Sequence, residues 1–256
     1  MAKSLKSMIG VFDSGLGGLS VLRTLREALP YESFIYLGDG ARCPYGERST
    51  EEVKRFTEEA VERLLAEGCK LIVIACNTAT AVAIRALRER YPDVPFVGLE
   101  PAVKPAALTT KSGVVGVLAT RRSLEGDHFR TTAAQYADKV QIIAAVGEGF
   151  VEAVECNEEE SEATEALVRR VVEPLVEAGA DKIVLGCTHY PFLRSVIERV
   201  AGEGVEIIDS AAAIARRVAS LLDERGLRAE EGAKQSCRYL SFAGEEYVEK
   251  LKMKDR

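Results

Sequence analysis

Leu71-Ile72-Val73-Ile74-Ala75-Cys76-Asn77-Thr78 and Lys182-Ile183-Val184-Leu185-Gly186-Cys187-Thr188-His189 are the two stretches whose reading decides the fold. Each is a short apolar, β-branched run with no polar alternation, which predicts a strand buried on both faces. Each run ends in a cysteine followed by small hydrogen-bonding residues. Similar runs flank them: Ile9 to Phe12, Ser33 to Leu37, Val94 to Leu99, Val114 to Leu118, Val140 to Ala144 and Val205 to Ile208. Helical patterns separate the runs, so the fold class is α/β with parallel-type sheets flanked by helices.

One such helix opens at Ser49, where Glu52 completes a capping-box pattern and Val53, Phe56, Ala60, Val61, Leu64 and Leu65 line one face. A second runs from about Glu160 to Ala178, and Pro174, lacking an amide proton, is expected to kink or interrupt it. The chain also repeats itself. Ile9-Gly10-Val11-Phe12-Asp13-Ser14 resembles Val115-Gly116-Val117-Leu118-Ala119-Thr120, and the two cysteine-ended stretches match each other at a nearly equal offset. Two related halves are therefore expected, with no low-complexity linker between them.

Composition narrows the function classes. The chain has 256 residues, 47% hydrophobic and 29% charged, which excludes collagen, extended disorder and a small disulfide scaffold. Lys plus Arg number 34 against 40 Asp plus Glu, a net charge of −6, so no cationic field draws it to nucleic acid. No apolar run approaches the roughly 18 residues that span a bilayer. Lys3 and Lys6 are followed only by the short Ile9 to Phe12 stretch, so no secretory signal is read, and a cytoplasmic location is expected. The six cysteines are then expected to be thiols.

In open α/β sheets, ligands bind beyond the carboxyl ends of the strands. Three polar clusters fall there: Asp13-Ser14-Gly15, Cys76-Asn77-Thr78 and Cys187-Thr188-His189. Their side chains and free helix-start amides suit a carboxylate ligand. Gly15, Gly17 and Gly18 invite a dinucleotide reading, but Ser20 stands where the third glycine of that fingerprint belongs. A zinc site from Cys76, Cys187 and His189 has suitable ligand types but no C-x-x-C pair to support it. His128 reads as a surface or structural residue, and Cys43, Cys69, Cys156 and Cys237 as packing residues. Two matched thiols suit inversion at carbon instead: one thiolate removes a proton and an opposite thiol delivers another, with helix amides or an imidazolium lowering the thiol pKa.

At these clusters the sequence resembles glutamate racemase, of the cofactor-independent aspartate/glutamate racemase superfamily. The likeness rests on Gly10 to Leu19, on Gly38-Asp39 with Cys43-Pro44-Tyr45-Gly46, on Ala75 to Thr80, on Glu100 to Pro105, and on Gly186 to Pro191. A histidine after Cys-Thr separates glutamate racemases from aspartate racemases, which commonly carry glutamate there. The resemblance implies interconversion of L- and D-glutamate, supplying D-glutamate for peptidoglycan, with no cofactor and no metal. It implies two domains, 1–99 with 209–256 and 100–208, and an active site between them. Cys76 is implied to take the α-proton of D-glutamate and Cys187 that of L-glutamate. Asp13 would assist Cys76, while His189 and Glu152 would assist Cys187. Substrate would be held by Asp13, Ser14, Tyr45, Gly46, Asn77, Thr78, Thr120, Ser123, Thr188 and His189.

The chain departs from that pattern at Gly40, where threonine is common, at Arg121-Arg122, and from Val146 to Gly149. Its N-terminus lacks an extension resembling an activator-binding feature, so activation by a cell-wall precursor is not expected. The expected partner is a small molecule, with neither membrane nor nucleic acid, and a homodimer is compatible with the family. The competing readings are aspartate racemisation, another superfamily reaction at an acidic α-carbon, and a regulatory protein that binds gyrase.

Overall fold

The computed structural model describes residues 8–256, apart from the side chain of His128. Lys3, Lys6 and the reading of His128 thus lie outside the described residues. The chain forms two compact units, one from the residues up to Leu99 together with Ala211–Arg256, the other from Glu100–Ser210.

The first unit opens with β1 (Met8–Asp13), α1 (Leu19–Ala28), β2 (Ser33–Gly38), α2 (Thr50–Ala66), β3 (Leu71–Ile74), α3 (Asn77–Arg90) and β4 (Phe96–Gly98). The apolar runs are strands because both faces are covered: every residue of β3 is buried, and β1 and β2 are buried beyond their first residue. The capping box at α2 is complete. The Ser49 amide donates to Glu52 Oε2 (3.0 Å) and the Glu52 amide to Ser49 Oγ (3.2 Å), an arrangement that contributes about 0.5–2 kcal/mol to a helix start. Its Val53, Phe56, Ala60, Val61 and Leu64 are buried against the sheet, as their spacing requires.

The second unit contains α4 (Val103–Thr109), β5 (Val114–Ala119), α5 (Arg121–Glu125), α6 (Asp127–Tyr136), β6 (Gln141–Val146), α7 (Phe150–Glu155), α8 (Glu162–Glu177), β7 (Lys182–Gly186), α9 (Arg194–Ala201) and β8 (Glu206–Ile208). Pro174 does not interrupt α8, contrary to expectation. It lies in the last turn, where a single helical amide is lost, and the helix ends three residues later with Gly179 at φ 90°.

The chain then returns to the first unit as α10 (Ala211–Glu224), β9 (Cys237–Ser241) and α11 (Glu245–Lys254). Strand order is β4-β3-β1-β2-β9 in one sheet and β6-β5-β7-β8 in the other, and every pairing is parallel. Read in the same sense, β2-β1-β3-β4 corresponds to β6-β5-β7-β8, so the sequence repeat is a repeat of topology. Even the central glycines correspond. A Cβ on Gly10 would meet Cys69 Sγ at 3.0 Å and Leu64 at 3.1 Å, and one on Gly116 would meet Leu175 at 2.9 Å. In each unit the helix preceding the cysteine-bearing strand packs onto a strand position that admits no side chain.

The return of the chain is held by a buried ion pair. Lys70 Nζ lies 2.6 Å from Glu32 Oε2 and donates to the carbonyl of Leu227 (2.7 Å), while Glu32 Oε1 accepts from the Ala229 amide (2.8 Å). No helix among the described residues is long and apolar enough to cross a membrane.

Candidate active site

Parallel strands place their carboxyl ends along one edge of each sheet, and the polar clusters lie there. In the first unit Asp13 ends β1 with its side chain fully buried, and its Oδ1 accepts from the Gly15 amide (2.8 Å). A Cβ on Gly18 would sit 2.6 Å from that of Asp13, so glycine at 18 is what lets the loop fold back over the carboxylate. Beside it, Cys76 is the N-cap of α3, with extended backbone at φ −136°, ψ 118°. Its Sγ accepts from the Ala79 amide (3.5 Å), and the thiol points to Ser14 Oγ (3.6 Å). The helix-start amides and the positive end of the helix favour negative charge on the sulfur there. Asn77 and Thr78 form the buried first turn, and the Asn77 Nδ2 has no partner among the described residues, a donor available to a ligand oxygen.

At the end of β2 the fully buried Asp39 orders the loop that follows. Its amide donates to the Asp13 carbonyl (3.0 Å), and its Oδ2 accepts from Tyr45 Oη and from Arg42 Nε, both at 2.6 Å. Burial raises the Asp39 pKa against the opposing pull of Tyr45 and Arg42. Burial, then the Asp39 charge, pushes the Tyr45 phenol far up, so it remains a hydrogen-bond donor. Gly46 follows in the same short helical turn.

In the second unit Thr120 caps α5, with Oγ1 accepting from the Ser123 amide (3.3 Å) and 2.9 Å from Ser123 Oγ. Cys187 follows β7 and is 7% exposed, with Thr188 also buried beside it. Its surroundings differ from those of Cys76. No α-helix starts at Thr188, contrary to the expectation of helix amides at both cysteines; Pro191 falls in a short 3₁₀ turn, Tyr190–Leu193, and α9 begins only at Arg194. Instead Cys187 Sγ lies 3.9 Å from His189 Nδ1, and His189 Nε2 lies 2.8 Å from Glu155 Oε1. An ionised carboxylate only accepts, so Nε2 carries the proton and a neutral ring turns the Nδ1 lone pair to the thiol.

The carboxylate on the imidazole is that of Glu155, a residue not singled out in the sequence, whereas the family likeness implied Glu152 as an aid to Cys187. Glu152 is exposed, one turn earlier on α7. Its charge bears on the buried Tyr190 hydroxyl, whose ionisation is opposed first by burial, then by Cys187 and by Glu152. Phe150, Val151, Ala153 and Val154 are buried, which leaves both glutamates on the polar side of a six-residue helix. No periodicity in so short a segment separates them. The unusual Val146 to Gly149 stretch has a steric reason: a Cβ on Gly147 would sit 2.6 Å from Tyr190 Oη, and Gly149 adopts φ 81° to start α7.

Each unit thus carries a buried cysteine that follows an equivalent strand, Cys76 beside helix-start amides and Cys187 beside an imidazole. A family model described as Asp/Glu/Hydantoin racemase matches residues 9–218. A glutamate racemase of Roseiflexus sp. is 50% identical over 219 residues, covering 86% of this chain and 80% of its own. The solved glutamate racemase isoform RacE1 of Bacillus anthracis superposes with a TM-score of 0.86 at 34% identity, covering 96% of this chain and 92% of that one. Escherichia coli glutamate racemase, solved with L-glutamate and the activator UDP-MurNAc-Ala, gives 0.83 at 35% identity, with 97% and 95% covered. The chain belongs to the Asp/Glu/Hydantoin racemase family, and its enzymatic class is that of the racemases.

Proposed function

We propose that this racemase interconverts L- and D-glutamate without a cofactor, using Cys76 and Cys187 as a base and acid that exchange roles with direction. The observation that carries the reading is the matched placement of the two cysteines after β3 and β7, each with its own means of holding a thiolate. Starting from D-glutamate, the Cys76 thiolate takes the α-proton, and the electron pair of the C–H bond remains on the α-carbon. The Cys187 thiol gives its proton to the opposite face, leaving L-glutamate, a Cys76 thiol and a Cys187 thiolate. Starting from L-glutamate the roles reverse. The reaction requires both thiols to reach one α-carbon from opposite faces.

The two thiols are prepared differently. At Cys76 the α3 amides stabilise negative charge on sulfur, with Asp13 as the neighbouring buried carboxylate. At Cys187 the imidazole of His189 accepts the thiol proton at Nδ1, and Glu155 stabilises the resulting imidazolium. The substrate's carboxylates and ammonium are assigned to Asp13, Ser14, Tyr45, Gly46, Asn77 and Thr78 from the first unit and Thr120, Ser123, Thr188 and His189 from the second. The likeness to proteins named glutamate racemase, one of them solved with L-glutamate, supports glutamate as substrate. D-Glutamate for peptidoglycan is the product this reading assigns.

Circular dichroism of the purified protein on L- and D-glutamate, with L- and D-aspartate in parallel, tests the assignment. Decay of optical activity from both glutamate enantiomers is expected. Inert glutamate with racemised aspartate would move the protein to the other specificity in its family.

A further inference from the structure

The loop after β2, which carries Asp39, Tyr45 and Gly46, is gripped from the C-terminal segment at three successive points. Ser241 Oγ at the end of β9 donates to the Gly38 carbonyl (2.7 Å). The ring of Tyr247, on α11, fills the space a side chain at Gly40 would need: a Cβ there would lie 2.3 Å from its Cε2 and Cζ atoms. Phe242, an aromatic residue left 41% exposed, lies 4.7 Å from the Arg42 guanidinium, which is also 4.1 Å from Phe56. Arg42 is the residue whose Nε holds Asp39, and Asp39 holds the Tyr45 hydroxyl. The departure at position 40 is thus matched by an aromatic residue more than two hundred positions away in sequence.

We propose that Tyr247 and Phe242 are positioning residues for the Asp39 to Gly46 loop, setting glutamate affinity from the C-terminal segment through Gly40 and Arg42. This rests on the assignment of Tyr45 and Gly46 to substrate binding. Neither aromatic residue transfers a proton, so their loss acts on binding more than on turnover.

The test compares Tyr247→Ala, Tyr247→Phe, Gly40→Ala and Gly40→Ala/Tyr247→Ala in the full chain, by steady-state racemisation and by hydrogen exchange of peptides covering residues 39–48. Tyr247→Ala is expected to raise KM for both enantiomers about threefold or more with kcat within about twofold, and to speed exchange in 39–48 about tenfold. Exchange in the β1 and β3 peptides should be unchanged. Tyr247→Phe, which keeps the ring, should restore both values. Gly40→Ala should raise KM by itself but add little on top of Tyr247→Ala, because the two act on one contact. Faster exchange with an unchanged KM would reduce the contact to a structural one and overturn the proposal, as would unchanged exchange. If the unsubstituted protein does not racemise glutamate, the activity reading fails separately, and the brace then stands or falls on the exchange in 39–48.

Discussion

Glu155 Oε1 lies 2.8 Å from Nε2 of His189, whose other nitrogen faces Cys187 Sγ at 3.9 Å. That carboxylate fixes the tautomer in which the ring can take the thiol proton, so its removal should be felt in turnover. Glu155→Gln is expected to lower kcat about three- to tenfold, less than the roughly 10²-fold or greater loss from His189→Asn, because the imidazole itself remains. Glu152→Gln should stay within about twofold of the parent, since Glu152 does not reach the ring. A steady-state circular dichroism assay on the three variants checks the order. Loss at Glu152 with none at Glu155 would reverse the assignment.

Replacing either Cys76 or Cys187 with Ala should abolish racemisation in both directions, since each direction needs one base and one acid. The two enantiomers have equal free energy in water, so kcat/KM falls equally from either side in any variant; asymmetry is confined to kcat and KM separately. Near-parent turnover in either alanine variant would sink the two-thiol account.

The Glu32–Lys70 pair is buried on both sides, with 3% and 6% side-chain exposure, and ties the segment around Leu227 and Ala229 to the first unit. Removing one charge leaves the other unpaired, which costs about 3–5 kcal/mol. Lys70→Met is expected to lower the urea midpoint accordingly, and Lys70→Met/Glu32→Leu to recover much of it. Equal midpoints for the parent and Lys70→Met would show that the pair is dispensable.

Asp181 accepts from Thr110 Oγ1 (2.5 Å) and from the amides of Lys111 (2.6 Å) and Ser112 (3.1 Å). Partial burial works to raise its pKa, but these hydrogen bonds outweigh it and bring the carboxyl down to about 2. A depressed folded-state pKa contributes stability that is complete above the free aspartate value of about 3.9 and fades as pH falls toward 2. Asp181→Asn should therefore be less stable than the parent in urea at pH 5, and the gap should shrink to roughly a third by pH 2.5 and close only below pH 2. A gap independent of pH would assign the effect to packing at the turn.

The sheets were legible in the sequence because strands buried on both faces leave uninterrupted apolar runs, as in Leu71 to Ile74 and Ile183 to Gly186. β9 was not: Cys237-Arg238-Tyr239-Leu240-Ser241 lies at a sheet edge with no fully buried residue, so it carries no such run. That Asp13, Cys76 and Cys187 stand at strand ends was legible from the apolar runs that precede them. The identity of the glutamate on His189 was not, because Glu152 and Glu155 share the polar side of a short helix and only the fold of α7 against the turn after β7 separates them. Nor could spacing show that Tyr247 completes the surroundings of Gly40.

The central claim is that two different thiols handle the α-hydrogen, and racemisation of protiated L-glutamate in deuterium oxide tests it most directly. At early conversion, NMR and mass analysis of the separated enantiomers should find the D-glutamate formed fully deuterated at the α-carbon, with the remaining L-glutamate still protiated. Protium carried over into D-glutamate, or deuterium entering L-glutamate as fast as it enters D-glutamate, would mean that one group serves both faces and would contradict the account.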